Sequence, residues 1–157
     1  MNDRSPPSAP QGPCFITGAD GYFSFEEDYR SEGKGNLYGV LKGFFDTMTV
    51  YDAQGNKWKA KGVVSKYKRT WWWVLLANTV YNPRVTVRIT WGEPRPYHLL
   101  DLKEVYVKAV EKDDDILTQF VEAGVLKERI GEARNFGALA EVYRWMATDH
   151  GRKVADD

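Results

Sequence analysis

A chain of 157 residues with 43% apolar and 14% aromatic content has enough apolar surface for one packed domain and too much for a disordered one. Its 22 basic and 22 acidic residues cancel, so net charge points to no partner and only the distribution along the chain can. A single cysteine, Cys14, excludes an intrachain disulfide framework and a multi-cysteine metal site, and no apolar run reaches the roughly 18 residues that a membrane-spanning helix needs.

Residues 1–13 hold four of the seven prolines and no large apolar side chain after Met1, the composition of an extended or disordered tail. They have neither the basic start nor the apolar core of a secretory signal, which makes a cytoplasmic location the expectation. A single domain is expected over residues 14–150, with the sheet in 14–97, helices in 100–148 and a polar tail over 151–157. Ordered structure should begin near Cys14, Phe15 and Ile16. Phe23 and Phe25 then alternate with Tyr22, Ser24 and Glu26 as in a strand. Residues 31–36 read as a polar, glycine-bearing connection. Residues 37–45 read as a strand, with Gly39 and Gly43 marking a bend, a bulge or a close backbone approach.

Residues 47–52 and 57–64 flank Ala53, Gln54, Gly55 and Asn56, a connection of hairpin type. In the second arm Trp58 and Ala60 face one way and Lys57, Lys59 and Lys61 the other, as in a half-solvated antiparallel strand. The apolar run Trp71, Trp72, Trp73, Val74, Leu75, Leu76, Ala77 has no i, i+3, i+4 spacing and is predicted to be a strand buried on both faces. Asn82 and Pro83 break it. Val85, Val87, Ile89 and Trp91 then alternate against Thr86, Arg88 and Thr90.

From Asp101 onward the period changes to 3.6. Asp101 and Glu104 have the spacing of a helix start, followed by Leu102, Val105, Tyr106, Ala109 and Val110 on one face. A strand at Val105, Tyr106 and Val107 is the competing reading. Asp113 or Asp114 can cap a short helix carrying Ile116, Leu117, Phe120 and Val121, and Val125, Leu126 and Ile130 suggest a third helix. Asn135 should cap a fourth, with Leu139, Val142, Tyr143 and Met146 at helical spacing. Strands first and helices last predict an α+β domain, with about six mostly antiparallel strands in a bent sheet or partly open barrel and the helices packed on one face.

Charge is segregated. Between Ala53 and Gly92 there are eight cations and no acid, while Asp101 to Glu132 carries nine acids against five bases. Cations interleaved with aromatics give a candidate interaction surface of Lys57, Lys59, Lys61, Tyr67, Lys68, Arg69, Trp72 and Arg88. Against a nucleic-acid role, alternation turns Trp58 away from its lysine neighbours and into the core. Asp113, Asp114 and Asp115 lack calcium-loop spacing and suit helix capping better than a metal. His98 and His150 lie far apart, Cys14 reads as a small buried hydrophobe, and no nucleophile elbow, phosphate loop or zinc helix is present. No cofactor or metal is therefore expected.

The first functional expectation is a small soluble, non-enzymatic module. It would bind a protein partner, or a second copy of itself, through an aromatic-rich sheet face or the acidic helical face, in the manner of an inhibitor or immunity protein. Single-stranded nucleic-acid binding by residues 57–69 is one alternative. An enzyme using Glu26 and Asp28 in a sheet cleft is another.

Overall fold

A computed structural model describes residues 8–67, 70–112, 117–118 and 121–155. The strands are β1 Gly12–Thr17, β2 Phe23–Tyr29, β3 Glu32–Asn36, β4 Thr49–Asp52, β5 Asn56–Val64, β6 Arg84–Trp91 and β7 Arg95–Pro96. The helices are α1 Leu37–Leu41, α2 Trp71–Thr79, α3 Leu99–Glu111, α4 Ala123–Glu132 and α5 Phe136–Ala155. The antiparallel sheet has the order β2-β1-β4-β5-β6-β3, with the short β7 added to β5. The two edge strands, β2 and β3, are joined only by Arg30 and Ser31. So short a link between opposite edges requires the sheet to curl, and the result is a half-barrel followed by C-terminal helices. The expected α+β class holds.

Strands β1, β2 and β4 contribute to a core on each side of the sheet, and β5 and β6 to the inner one. Phe15 of β1 and Phe23 of β2 point outward to meet Tyr106, Leu126, Ile130 and Leu139 of α3, α4 and α5. Cys14 and Ile16, one residue to either side, point inward with Val50, Trp58, Val87 and Ile89. Val40, Phe45 and Met48, from the segment between β3 and β4, fill the inner side. The 53–56 connection forms as expected: Asp52 accepts the backbone N–H groups of Gln54 and Asn56 at 3.0 and 2.8 Å, and Gly55 takes a φ of 89°. Trp58 is 1% exposed, on the inner side as alternation requires.

Several expectations give way. The tryptophan run is not a strand but the helix α2. Trp73, Val74 and Ala77 form its packed stripe at helical spacing and meet Leu37, Tyr38 and Leu41 of α1, which leaves the other sides open. Residues 37–45 hold α1 and a 3-10 turn, Phe44–Thr47, instead of a strand. Asn36 caps α1, its Oδ1 accepting the Gly39 N–H at 2.7 Å, and Gly43 ends it at a φ of 87° that glycine adopts readily. The supposed connection at 31–36 contains β3, the partner of β6 from Glu32↔Arg88 to Asn36↔Arg84. Gly33 and Gly35 form the seat for the Phe45 ring: a Cβ on Gly33 would stand 2.5 Å from its Cε1.

The boundaries of other elements also move. β1 begins at Gly12, inside the expected tail, and α5 runs through residues 151–155 instead of stopping at 148. α3 begins at Leu99, three residues after Pro96, and the Asp101 carboxylate accepts the His98 backbone N–H at 3.2 Å. Residues 105–107 are helical, not a strand. Asn135 caps α5 as expected, accepting the Ala138 N–H at 2.7 Å. The short helix expected around Asp113 to Val121 and the three aspartates that would cap it lie largely outside the described residues.

Candidate functional site

The helix α2 is apolar on every side, yet it touches the domain with one stripe. Trp71 is 75% exposed, Trp72 55% and Val80, just past the helix, 82%. Leu75 and Tyr81 are exposed too. The Trp71 and Trp72 rings meet edge to face at 5.0 Å, so the two indoles project as one cluster. A helix apolar all round normally lies in a protein interior. Here, half of its circumference faces outward.

The patch is held firmly from beneath. Trp73 packs edge-on against Tyr67 at 5.0 Å, and the Tyr67 hydroxyl lies 3.3 Å from that of Tyr81. The chain leaving α2 hooks onto the start of α1. There the Asn82 Oδ1 accepts the Tyr38 N–H and the Pro83 carbonyl accepts the Leu37 N–H, both at 2.9 Å. These contacts satisfy donors that a helix N-terminus otherwise leaves open. The outward indoles are thus presented on a braced support.

The structure distributes the residues singled out from the sequence over separate places. Trp72 and Tyr67 belong to the α2 cluster. Arg88 is exposed on β6, opposite Val64, which is 61% exposed. Lys61 is exposed near the β5 irregularity between Ala60 and Gly62. Lys57 and Lys59 line a different cleft of about 590 Å³ with Arg95, Tyr97 and Asp101, and the Lys57 ammonium sits 5.4 Å from the Tyr51 ring centre. Lys68 and Arg69 lie outside the described residues.

The carboxylates of β2 also part company. Asp28 is ion-paired with Arg30 at 3.3 Å at the surface, and Glu27 is held by Arg144 of α5, whose guanidinium lowers the Glu27 pKa. Glu26 faces inward beside Cys14. The acid/base pair Glu26 and Asp28 expected from the sequence therefore does not assemble. Burial, aided by Asp52 and Glu26, pushes the Cys14 thiol up to about 12, which leaves it a poor nucleophile. Among the described residues no group of three or more histidine, cysteine, aspartate or glutamate side chains is placed to hold a metal. Of the nine acids and five bases between Asp101 and Glu132, six acids and all five bases are described; Asp113 to Asp115 lie outside the described residues.

Leu75, Val80 and Tyr81 were not singled out from the sequence. The available signal was the absence of any charge from Trp71 to Pro83, which reads equally well as burial. Architecture and site together define a curled antiparallel half-barrel, backed by helices, that presents a braced aromatic helix. The chain matches no protein-family model, no curated protein and no solved structure.

Proposed function

We propose that the protein is a non-enzymatic binding module that docks a protein partner through α2 and the adjoining Val80 and Tyr81. The observation that carries this reading is the exposure of Trp71 and Trp72 at 75% and 55% on a helix with no charged residue. Exposed apolar clusters of a few hundred Å² mark interaction sites, and tryptophan and tyrosine are the preferred anchors of interfaces. The surrounding charge describes the partner. Lys66, whose charge acts on the Tyr81 hydroxyl, and Lys42, 5.7 Å from the Tyr38 ring of α1, are cations beside the cluster, and residues 53–92 hold no acid, which suits an apolar hollow rimmed by carboxylates. The same charge weighs against a second copy of the chain, because α2 against α2 brings two basic surroundings together. A nucleic-acid role has less support, since the aromatic between the lysines of β5 is the buried Trp58.

The test compares the wild-type chain with Trp71→Ser/Trp72→Ser in recovery from native lysate. The expected result is a stoichiometric protein complex with the wild type and at least ~30-fold weaker binding by the variant, with helix content and melting temperature unchanged. Equal recovery by both chains would sink the proposal. So would tryptophan-dependent binding to phosphatidylserine vesicles or to an oligonucleotide in place of a protein.

A further inference from the structure

The half-barrel has a mouth, and its lining is chemically specific. Between the two edge strands, β2 and β3, lies a cavity of about 180 Å³, the space of roughly six waters at about 30 Å³ each. Tyr29 reaches it because β2 is irregular: Gly12 pairs with Tyr29 but Cys14 pairs with Glu26, so β2 spends three residues where β1 spends two. The extra residue turns Tyr29 to the inner side, where Glu26 already points. Strict alternation would have sent it outward with Phe25 and Glu27. Tyr29 is 5% exposed, and its buried hydroxyl has no hydrogen-bond partner among the described residues. A buried, unsatisfied hydroxyl costs on the order of 1–3 kcal/mol and calls for a partner.

The rest of the lining states what that partner is. Tyr22 and Phe44 stand at the opening, 42% and 39% exposed, with ring centres 5.5 Å apart, and Phe45 meets Phe44 edge to face at 5.2 Å. Glu26 contributes a carboxylate, and among the described residues no cation pairs with it. Lys34 lies at the rim but on the outward row of β3, in register with Thr86. Burial first, then the charge of Glu26, raises the Tyr29 pKa, so the phenol keeps its proton. Aromatic faces around a carboxylate attract a cation.

We infer that the mouth of the half-barrel binds a small organic ammonium, held by Glu26 and the Tyr29 hydroxyl and enclosed by Tyr22, Phe44 and Phe45. The ammonium donates to the Glu26 carboxylate and to the Tyr29 oxygen, and the aromatic rings cover its alkyl part. The site shares no residue with α2, so the two proposals stand or fall separately.

The test is titration of the full chain with isobutylammonium chloride and, separately, sodium isobutyrate, followed by backbone amide NMR. The amine should produce saturable shifts at Gly33, Lys34 and Tyr29, and the carboxylate none. Glu26→Gln should weaken amine binding at least ~10-fold and Tyr29→Phe ~3- to 10-fold. Glu26 is exposed, so Glu26→Gln should melt close to the wild type; phenylalanine fills the Tyr29 ring space and removes the unpartnered hydroxyl, so Tyr29→Phe should melt at or above it. Absence of a saturable amine response overturns the inference. So does an equal response to isobutyrate, or binding that survives Glu26→Gln.

Discussion

A carboxylate at 2% exposure has to be fully partnered, and Asp52 is. Its Oδ1 takes the two backbone N–H groups of the turn, and its Oδ2 accepts the Trp58 indole N–H at 2.8 Å. One side chain therefore ties the β4–β5 turn to the largest residue of the inner core. Trp58→Phe should cost more than its loss of ring area, by about 1–3 kcal/mol in urea unfolding, because the carboxylate loses a buried donor. Alternation was enough to place Trp58 inside. Nothing local marked Asp52 as its partner, since a turn aspartate reads as solvent-facing. Cys14, also placed inside by its neighbours, gives a pH test. Its thiol pKa rises from 9.0 to about 12 on folding, so the neutral form is favoured in the native state. Its contribution to stability should be complete below about pH 9 and fade as the pH climbs toward 12. At pH 8 a thiol reagent such as iodoacetamide should modify the native chain far more slowly than the chain in 6 M guanidinium.

The elements that escaped sequence reading failed for different physical reasons. In α1 the helical signal was present, because the buried Leu37, Val40 and Leu41 are spaced i, i+3, i+4. Five residues are too few to outweigh the strand-like look of their neighbours. In α2 the run is apolar at every position, so no face stands out and periodicity carries no information. The strand β3 is worse still: it is polar and glycine-rich, and its conformation is imposed by β6 on one side and Phe45 on the other. That packing makes a direct prediction. Gly33→Ala should destabilise the fold by about 1–3 kcal/mol, and adding Phe45→Leu should recover part of the loss, as read by thermal melting. Along α2 itself, Trp73→Ala should cost clearly more stability than Trp71→Ala, since only the former ring packs beneath the helix against Tyr67.

At the scale of the whole molecule the helices and the half-barrel share β1, β2 and β4. Phe15 belongs to the outer core and its neighbours Cys14 and Ile16 to the inner one, so neither core can come apart without the other losing a wall. Calorimetry should therefore show a single transition, with calorimetric and van't Hoff enthalpies equal within error; two resolved transitions would mean that the helices and the half-barrel melt independently. The order of strands before helices was legible in the sequence, as was the antiparallel character of the sheet. So was its curl, expected as a bent sheet or partly open barrel; the pairing that puts β2 and β3 at the edges was not, because β3 reads as a polar connection.

The placement of β3 also bears on synthesis. It is the third strand made, yet its partners in β6 lie 48 to 56 residues downstream. A nascent chain emerging from the ribosome can pair β1 with β2 and then with β4, but β3 and the glycine seat for Phe45 must wait until Arg84 to Trp91 has cleared the exit tunnel. During that interval the aromatic lining of the mouth is open to solvent, and it is the length of that wait, set by strand order alone, that a holding chaperone would have to cover.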